Sequence, residues 1–447
     1  MNVLFVSLGC DKNLVDSELM LSLLRRNGYN ITNDDREAEI AVVNTCCFIH
    51  DAKEESINTI LELAGLKETA KLKVLIITGC LAQRYQKEIQ EEIPEVDAIL
   101  GTANIDDIVK VVEDTLHANG KKVVCTRDLD YLPKNLTDRV VTTGNAMAYL
   151  KIAEGCNKRC TYCIIPYLRG NYRSIPMEEI LETARKLAKD GYKELILVAQ
   201  ETTVYGLDLY KEKRLPELLH ELSKIEGIEW LRLLYCYPEE ITDELIQEMA
   251  TNDKVCHYID MPIQHSDDAI LKAMGRRTNQ EQIRRVVAKL REAMPDICIR
   301  TTLITGFPGE TQEQHEDMLA FIDEMEFERL GAFTYSAEEG TKAAEYPNQV
   351  EEAVKEEWKD DIMSLQQEVS YDNNQDMIGT ELRVLIEGYL YEEDVYIGRS
   401  YREAPTVDGY IFVSAEEEIV SGEMVKVRIT DANEYDLIGE VVYEFTE

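Results

Sequence analysis

Residues 154–163, EGCNKRCTYC, follow directly on the apolar run Ala148–Ile152, which has the length and composition of a buried strand. They contain three cysteines in a CxxxCxxC spacing, namely Cys156, Cys160 and Cys163. Three thiols this close can converge on one metal centre if the segment forms a loop. A structural zinc site needs a fourth ligand, and the next Cys or His on either side is Cys125 or His220. An iron–sulfur cluster on three cysteines leaves one iron open for catalysis, and three unrelated buried thiols are the remaining alternative.

The strand before this stretch is the first of several in the middle of the chain. The predicted strands are Ala148–Ile152, Glu194–Ala199, Leu231–Tyr235, Tyr258–Pro262, Ile299–Thr305 and Leu330–Tyr335. Helical patterns separate them, and such alternation predicts parallel strands with helices outside. The result is a partial (β/α)6 barrel, whose active site lies at the carboxyl ends of the strands. The charged amphipathic helix Glu351–Gln375 is expected to pack on the outside of this barrel.

The chain before the barrel has a strand–helix alternation of its own. Short apolar runs end near Leu8, Val43 and Ile77, with helical spacing between them. The pattern predicts a separate α/β domain with a flavodoxin-like parallel sheet, which binds ligands at the carboxyl ends of its strands. Three cysteines stand at those predicted ends: Cys10, Cys46 and Cys80.

The C-terminal part of the chain changes character. Its short β-rich runs are Leu382–Ile386, Val395–Gly398, Tyr410–Val413, Met424–Ile429 and Leu437–Phe445. Gly, Asp and Asn separate these runs, which predicts a small antiparallel β-barrel. A polar stretch without periodicity, residues 127–145, is the predicted linker between the first two domains. The sequence therefore predicts a multidomain α/β protein with domains at 1–126, 146–376 and 377–447.

The charge of the chain limits its partners. Its 447 residues include 48 Lys and Arg against 86 Asp and Glu, a formal net charge of −38. Such a surface repels phosphate backbones, which argues against nucleic-acid binding and favours basic partners. No segment approaches the ~20 apolar residues of a membrane helix, and the N-terminal apolar run is too short for a signal peptide. The protein is expected to be cytoplasmic, with its 11 cysteines as free thiols or metal ligands.

The CxxxCxxC loop after a barrel strand resembles the radical S-adenosylmethionine superfamily. The resemblance implies a 4Fe–4S cluster on Cys156, Cys160 and Cys163, whose open iron binds the amino and carboxylate groups of S-adenosylmethionine. In that superfamily one electron cleaves this cofactor to methionine and a 5′-deoxyadenosyl radical, which attacks C–H bonds that have no acidic proton. Tyr162, just before the third ligand, resembles the position that packs near the adenine.

Further strings resemble the methylthiotransferases of this superfamily. In the N-terminal domain they are Leu8-Gly9-Cys10, Asn44-Thr45-Cys46 and 79–84, GCLAQR. In the barrel they are 164–170, IIPYLRG; Arg173-Ser174; Ala199-Gln200-Glu201; 262–265, PIQH; and 305–310, TGFPGE. The resemblance implies a second 4Fe–4S cluster on Cys10, Cys46 and Cys80. Cys47 would point to the opposite side of an extended chain, so ligation is assigned to Cys46.

The barrel strings supply the other candidate site residues. The candidate cofactor-binding residues are Tyr162, Gln200, Glu201, Gly306 and Gly309. The two glycines would let the backbone approach a ligand closely, and an ordinary turn is the alternative. Arg169 and Arg173 are candidate substrate-binding cations, with solvated surface charges as the alternative. No catalytic residue is assigned beyond the cluster ligands, and His265 receives no proton-transfer role.

The C-terminal segment resembles a TRAM domain, an OB-like barrel that binds RNA in many relatives. Two branches of the family differ in substrate: the MiaB branch modifies an adenosine of transfer RNA, and the RimO branch modifies an aspartate of ribosomal protein S-12. Residues 379–447 hold five basic and 17 acidic residues, which favours a basic protein over RNA. The strings at 9–18 and 398–409 resemble the RimO branch, with Asp11 as a departure, and Arg399 and Arg402 are further candidate substrate-binding residues.

The hypothesis is methylthiolation of the β-carbon of an S-12 aspartate, with S-adenosylmethionine as radical source and methyl donor and with an external electron donor. The alternatives are a transfer-RNA adenosine methylthiotransferase, a radical enzyme with one cluster, and a noncatalytic iron–sulfur redox protein. The other five cysteines are expected to be structural thiols: Cys47, Cys125, Cys236, Cys256 and Cys298.

Overall fold

The structure, a computed structural model, describes residues 1–133, 137–144 and 146–443. Parts of the predicted linker, residues 134–136 and 145, lie outside the described residues, as do residues 444–447 with the end of the last predicted strand. An N-terminal α/β domain, a half-open barrel and a small closed barrel follow one another along the chain. No helix among the described residues is both long enough and apolar enough to cross a membrane.

The N-terminal domain is a parallel sheet with helices on both faces. Its strands are β1 (Asn2–Ser7), β2 (Asn30–Ile31), β3 (Ile40–Thr45), β4 (Val74–Thr78), β5 (Ala98–Leu100) and β6 (Val123–Cys125). Its helices are α1 (Asp11–Arg26), α2 (His50–Thr69), α3 (Gly79–Arg84), α4 (Gln86–Glu92) and α5 (Ile108–His117). The strand order β2-β1-β3-β4-β5-β6 reverses between β1 and β3, and this reversal opens a crevice at the carboxyl ends of the strands. The predicted flavodoxin-like sheet is confirmed.

The central domain is a six-stranded parallel sheet in the order β14-β13-β12-β11-β10-β7, curved into a half-open barrel. Its strands are β7 (Met147–Lys151), β8 (Ala153–Glu154), β9 (Arg173–Ser174), β10 (Glu194–Val198), β11 (Trp230–Leu233), β12 (Val255–Asp260), β13 (Cys298–Thr305) and β14 (Arg329–Thr334). Its helices are α6 (Ile165–Arg169), α7 (Met177–Lys189), α8 (Leu207–Tyr210), α9 (Leu215–Ser223), α10 (Asp243–Thr251), α11 (Asp268–Ala273), α12 (Gln280–Ala293), α13 (Gln312–Met325) and α14 (Glu352–Gln375). Strands β8 and β9 pair apart from the main sheet. The partial (β/α)6 barrel is as predicted.

The C-terminal domain is a closed barrel in the order β15-β16-β17-β19-β18. Its strands are β15 (Glu381–Leu390), β16 (Val395–Arg399), β17 (Ile411–Ser414), β18 (Met424–Ala432) and β19 (Leu437–Val441). All pairs are antiparallel except β17 with β19, which run parallel. The small barrel is confirmed, and the parallel pair is the one departure from the antiparallel arrangement.

The inner face of the central barrel is filled by the C-terminal domain. Alternate residues of β10 face the outer helices and the barrel interior, so that Leu195 lies in the main core and Ile196 faces inward. Residues 399–408, here called the plug segment, lie against this inner face. Ala404 of the plug segment packs in the same apolar group as Ile196. The Tyr258 hydroxyl donates to Asp408 Oδ2 at 2.7 Å. The last domain is therefore part of the packing of the barrel and is not a loosely attached appendage.

Candidate active site

The CxxxCxxC loop leaves the barrel after β8 and is tied to its surroundings through the backbone. The Cys156 amide donates to the Gly170 carbonyl at 3.1 Å, and the Thr161 amide donates to the Met274 carbonyl at 2.8 Å. Gly155 has a φ of +79°, and a β-carbon there would lie 2.1 Å from the Asn171 carbonyl oxygen. Only glycine fits this position, so the sequence fixes the start of the loop.

The three thiols of this loop are close enough for their charges to interact. Burial, with a smaller contribution from the neighbouring Glu201 and Cys160, raises the pKa of Cys156 to about 12. Burial also raises the pKa of Cys163, and the Cys160 and Cys156 thiols act in the same direction. Holding all three as thiolates therefore requires a source of positive charge, which the irons of a cluster supply.

The three thiols can be compared with the ligands that an iron–sulfur cluster and a single metal ion require. Among the described residues, no three His, Cys, Asp or Glu side chains converge on a position that one metal ion would occupy. A four-iron cluster spreads its ligands over several iron atoms, so its thiols stand farther apart than those of a zinc site. The donor set of Cys156, Cys160 and Cys163 fits a cluster with one open iron, because such clusters are held by cysteine thiolates.

Two residues beside these cysteines have no local motif that would predict them. The Tyr237 hydroxyl lies 4.0 Å from Cys160 Sγ, and the Arg276 guanidinium lies 4.1 Å from the centre of the Tyr237 ring. Both residues come from distant parts of the barrel. The predicted Tyr162 also lies here, half-buried, against the apolar group that includes Met274 and Phe307.

The predicted cofactor-binding carboxylate, Glu201, is buried beside the same loop. Its Oε1 lies 3.7 Å from Lys158 Nζ, which also pairs with Glu240 Oε1 at 2.5 Å. Burial raises the pKa of Glu201 to about 7, with Lys158 opposing the shift and Glu240 adding to it. The surplus of negative charge in this group suits a cationic ligand, and the amino and sulfonium groups of S-adenosylmethionine are of that kind.

Gln200 is oriented by a hydrogen bond and keeps a free acceptor. Its Nε2 donates to Glu154 Oε1 at 2.8 Å, while its buried Oε1 has no partner in the structure. A buried amide oxygen without a donor is costly unless a ligand supplies one. Gln200 therefore fits the predicted role of contacting a polar cofactor.

The two predicted glycines have different surroundings. Gly306 has a φ of +72°, and a β-carbon there would lie 2.2 Å from Cγ of Lys355 on α14. Gly309 has a φ of +89° with open space around it. The close approach at Gly306 is thus explained by packing against α14, and contact of this glycine with the cofactor stays a prediction.

The three N-terminal cysteines follow neighbouring strands of the first sheet: Cys10 after β1, Cys46 after β3 and Cys80 after β4. Asn13 joins two of the loops, because its Nδ2 donates to the carbonyls of Leu8 at 3.1 Å and Thr45 at 3.2 Å. Asn44 in turn donates to the Asn13 carbonyl at 2.8 Å. These amide side chains hold the loops at one edge of the sheet.

The thiols of these cysteines also form one group. A β-carbon on Gly9 would lie 3.0 Å from Cys46 Sγ, which places the loop of Cys10 against Cys46. Burial raises the pKa of Cys46 to about 12, and Cys80 and Cys10 add to the shift. Cys47 is fully buried in the core between the sheet and α2. The loop of Cys10 thus lies against Cys46, and the donor set again fits a cluster, while the choice of Cys46 over Cys47 stays a prediction.

A buried group of charges connects the two cysteine sites. Asp16 on α1 pairs with Lys151 at 2.5 Å and with Arg169 at 2.7 Å, and Glu154 pairs with the same two cations at 2.6 Å and 3.5 Å. Arg169 lies beside the Cys80 thiol, where it opposes the rise in pKa that burial causes. This interdomain group, defined as Asp16, Lys151, Glu154 and Arg169, sets the strand ends of the first domain against the barrel mouth.

A second contact across the domains lies next to Cys10. The Tyr235 hydroxyl donates to Asp11 Oδ1 at 2.9 Å, and Lys12 Nζ lies 3.2 Å from the centre of the Tyr235 ring. Tyr235 follows β11 and has a φ of +62°, an uncommon conformation for an aromatic residue. A strained backbone conformation persists only where surrounding contacts hold it in place. For Tyr235 those contacts come from Asp11 and Lys12 of the other domain.

The predicted substrate-binding arginines are mostly engaged inside the protein. Arg169 belongs to the buried interdomain group, and Arg173 donates to the Arg169 carbonyl at 3.1 Å. Arg399 is fully buried and pairs with Glu194 at 2.8 Å, and Arg402 is also buried in the plug segment. These positions favour a structural role for Arg399 and Arg402 and leave only Arg173 partly exposed.

Comparisons with known proteins agree with this architecture. Three family models match the chain: one described as Radical SAM superfamily over residues 150–322, one as Uncharacterized protein family UPF0004 over residues 2–101, and one as TRAM domain over residues 378–442. A relative from Lachnoclostridium phytofermentans, named Ribosomal protein uS12 methylthiotransferase RimO, is 57% identical over 98% of this chain and 99% of its own. A relative of the same name from a Thermoanaerobacter species is 49% identical, also over 98% of this chain and 99% of its own.

Solved structures share the fold at low sequence identity. The radical S-adenosylmethionine methyltransferase TsrM from Kitasatospora setae, with cobalamin and an iron–sulfur cluster bound, matches with a TM-score of 0.55 at 14% identity and covers 74% of each chain. The cobalamin-dependent S-adenosylmethionine radical enzyme OxsB matches with a TM-score of 0.52 at 13% identity, over 82% of this chain and 56% of its own.

The half-open barrel and its three-cysteine loop define a radical S-adenosylmethionine enzyme, a class that implies a 4Fe–4S cluster and S-adenosylmethionine. The N-terminal cysteine domain and the C-terminal barrel narrow this class further. Since its relatives are this similar over nearly the whole length, the chain belongs to the RimO family of ribosomal protein uS12 methylthiotransferases. The family predicted from the sequence is confirmed.

Proposed function

We propose that this chain adds a methylthio group to the β-carbon of an aspartate of ribosomal protein uS12. The observation that carries the proposal is that both three-cysteine sites border one buried interdomain group, so that a substrate between the domains would meet both. Cys80 of the first site contacts Arg169, and Glu154 of the same group directly precedes the loop of the second site. Holding a substrate between two reactive centres converts an encounter of macromolecules into an oriented local reaction.

At the barrel site, Cys156, Cys160 and Cys163 would hold the cluster, which together with S-adenosylmethionine supplies radical chemistry when bound. Gln200, Glu201 and Tyr162 are the proposed cofactor contacts. Glu154 orients the Gln200 amide, and Lys158 limits the mobility of Glu201 by pairing with it. Burial of Glu201 and its neighbours excludes water from the barrel site, and the exclusion of water strengthens electrostatic contacts with the bound cofactor.

At the N-terminal site, Cys10, Cys46 and Cys80 are proposed to hold a second 4Fe–4S cluster, which would bring the inserted sulfur. Cys10 is exposed, whereas Cys46 and Cys80 are buried. The open side of this site therefore lies toward Cys10, where Asp11, Lys12 and Tyr235 join the two domains.

The surface charge of the C-terminal barrel supports a basic protein substrate. Its exposed acidic residues are Glu381, Glu392, Glu393, Asp394, Glu416, Glu417, Glu418, Glu423, Asp431 and Glu440. Complementary charge of this kind accelerates encounter with a basic partner and suppresses acidic ones. The acidic barrel is thus the proposed docking surface for uS12.

A transfer-RNA substrate would require the barrel to display its cations on one face. Arg399 and Arg402 are buried, and Arg383 pairs with Glu229 at 2.9 Å. Lys426 and Arg428 both pair with Glu381, at 2.6 Å and 2.8 Å. Arg383, Lys426 and Arg428 are exposed on the adjacent strands β15 and β18, yet each pairs with a carboxylate. The exposed acidic residues of the barrel outnumber these three cations, which disfavours the transfer-RNA alternative.

The proposal extends to the setting of the reaction. An external electron donor is needed for the reductive step, and the protein is proposed to act in the cytoplasm. The proposed division of the chain is 1–126, a linker at 127–145, 146–376 and 377–447.

The test is anaerobic reconstitution with iron and sulfide, followed by incubation with reductant, S-adenosylmethionine and either uS12 or unmodified transfer RNA. The expected result is a methylthio mass increase on an aspartate of uS12 and none on the RNA. The reverse outcome would replace the protein substrate with the nucleic acid.

The second cluster is tested separately through iron content. Replacing Cys10, Cys46 and Cys80 with Ala is expected to remove about half of the bound iron, because one of two equal clusters is lost. The matched control is Cys47→Ala, which is expected to leave the iron content unchanged. Unchanged iron in the triple variant would leave a radical enzyme with one cluster.

A further inference from the structure

Arg276 is a buried cation without a carboxylate partner. Its side chain is 6% exposed, and no Asp or Glu oxygen of the described residues lies within the 4.0 Å limit of an ion pair. Its Nη2 donates to the Pro262 carbonyl at 2.7 Å, and its buried Nε has no partner. Other buried arginines, such as Arg232 and Arg169, pair directly with a carboxylate. The carboxylate of Glu239 acts on Arg276 only from beyond ion-pair distance. Because a buried charge without a direct partner is costly, Arg276 has room for a closer anion.

The position of Arg276 identifies that anion. Gly275, the preceding residue, packs against the cysteine loop, since a β-carbon there would lie 3.6 Å from the Cys160 Cα. The Arg276 guanidinium stacks on Tyr237 at 4.1 Å, and the Tyr237 hydroxyl is 4.0 Å from Cys160 Sγ. The nearest anionic group that this site is built to hold is therefore the thiolate-bound cluster.

We propose that Arg276 is the counter-charge of the cluster held by Cys156, Cys160 and Cys163, and that it raises the reduction potential of that cluster. Reduction adds one negative charge to the cluster, and a fixed positive charge nearby stabilises the reduced state more than the oxidised one. The inference goes beyond the proposed function, because it holds whichever substrate is methylthiolated.

The choice of arginine is consistent with this role. A guanidinium stays charged when buried and stacks on an aromatic ring, whereas a buried lysine readily loses its proton. Arg169 beside Cys80 is not equivalent, because Asp16 and Glu154 already neutralise it. The two cysteine sites are thus expected to differ in the net charge around them, with the barrel site the more positive on the Arg276 side.

A competing role for Arg276 is to bind the carboxylate of S-adenosylmethionine. That role requires the cofactor, whereas the counter-charge acts on the cluster alone. Measuring the potential in the absence of S-adenosylmethionine therefore separates the two.

The experiment uses the full chain carrying Cys10→Ala, Cys46→Ala and Cys80→Ala, so that only the barrel cluster is present. Reduction potentials are measured by titration followed by electron paramagnetic resonance, without S-adenosylmethionine. The variants are R276Q and, as a matched control, R277Q, since Arg277 is exposed in the same loop. We expect a more negative potential in R276Q and no change in R277Q.

Equal potentials in R276Q and R277Q would overturn the proposal, and weaker S-adenosylmethionine binding in R276Q with that equality would assign Arg276 to the cofactor instead. If R276Q cannot retain iron, the melting temperature of the metal-free protein distinguishes loss of the counter-charge from loss of the fold. Loss of iron with a melting temperature equal to that of R277Q supports a counter-charge, because the fold is intact. Loss of iron with a lowered melting temperature means that Arg276 only supports the fold, and the proposal fails.

Discussion

Gly79 is the most constrained residue at the N-terminal cysteine site. Its φ is +89°, and a β-carbon there would lie 2.3 Å from Asn44 Oδ1 and 2.4 Å from the Thr45 carbonyl oxygen. The strand end before Cys80 can approach the strand end before Cys46 only because this residue has no side chain.

Gly79→Ala is therefore expected to destabilise the fold and to reduce iron binding at this site. The left-handed backbone costs about 1–2 kcal/mol, and overpacking adds about 1–3 kcal/mol. Gly28→Ala is the control, because Gly28 has a φ of +86° with nothing within 4 Å of the added carbon. Urea unfolding and iron content measure both variants, and equal losses in the two would show that the steric contact at Gly79 is unimportant.

Glu201 gives the metal-free protein a pH-dependent stability. Its pKa is about 7 in the fold against an ordinary 4.5, mainly because burial disfavours the carboxylate. The folded state thus binds the proton more tightly, so this contribution is present below about pH 4.5 and is lost as the pH rises through about 7.

Glu201→Gln is expected to remove that loss, which is on the order of 3 kcal/mol. The measurement is urea unfolding of the metal-free protein at about pH 5 and about pH 8. Glu226→Gln, at an exposed position, should keep the pH dependence of the original chain. If Glu201→Gln keeps it as well, the carboxyl of Glu201 does not titrate in this range.

At the residue scale, the sequence predicted what is local. The ligands Cys156, Cys160 and Cys163 lie in one loop, so their spacing alone indicates a common centre. Tyr237 and Arg276 reach the same centre from other parts of the barrel, and their positions depend on which strand ends meet. No spacing rule contains that information, because it is a property of the folded sheet.

Among the elements, the plug segment is the one whose role differs most from the prediction. Its arginines have the composition of a substrate-binding surface, yet Arg399 is fully buried between Glu194 and Glu387. A buried arginine is tolerated because both carboxylates pair with it. Such pairing joins residues far apart in sequence, which is why local composition indicated a surface.

Arg399→Met is expected to destabilise the protein, because Glu387 loses its cation and Glu194 keeps only Arg232. Breaking a buried ion pair in this way costs up to about 3–5 kcal/mol. Arg383→Met is the control in the same barrel, where the exposed pair with Glu229 contributes about 0–1 kcal/mol. Urea unfolding distinguishes the two. An unchanged stability in Arg399→Met with a raised KM for uS12 would restore the predicted substrate-binding role.

The parallel pairing of β17 with β19 is a second feature of the elements that the sequence did not predict. Alternation of apolar and polar residues marks a strand with one buried face, and it is the same for either direction of its neighbour. The sequence therefore predicted the strands of the C-terminal barrel but not the direction of this pair.

At the scale of the whole molecule, the interdomain group fixes the two cysteine sites relative to each other. Asp16 neutralises both Lys151 and Arg169 across the domain boundary, and all of these side chains are buried. The sequence contained each residue, but the pairing follows only from the packing of α1 against the barrel mouth.

Asp16→Asn is expected to cost about 3–5 kcal/mol, because Glu154 alone is then left to neutralise two buried cations. We also expect faster hydrogen exchange in α1, since the domains separate more readily. Asp138→Asn is the control, because Asp138 pairs with Arg26 of the first domain and with Lys186 of the barrel domain in an exposed position. Equal exchange in both variants would mean that the domains are held together by other contacts.

The plug segment also has a consequence for how the protein is made. Glu194 lies in the barrel interior, and its partner Arg399 follows 205 residues later. At about 5–20 residues per second, a ribosome needs about 10–40 s to synthesise that interval. During this time the nascent barrel exposes a charged and apolar inner face, so the middle domain reaches its final packing only after the end of the chain has left the ribosome.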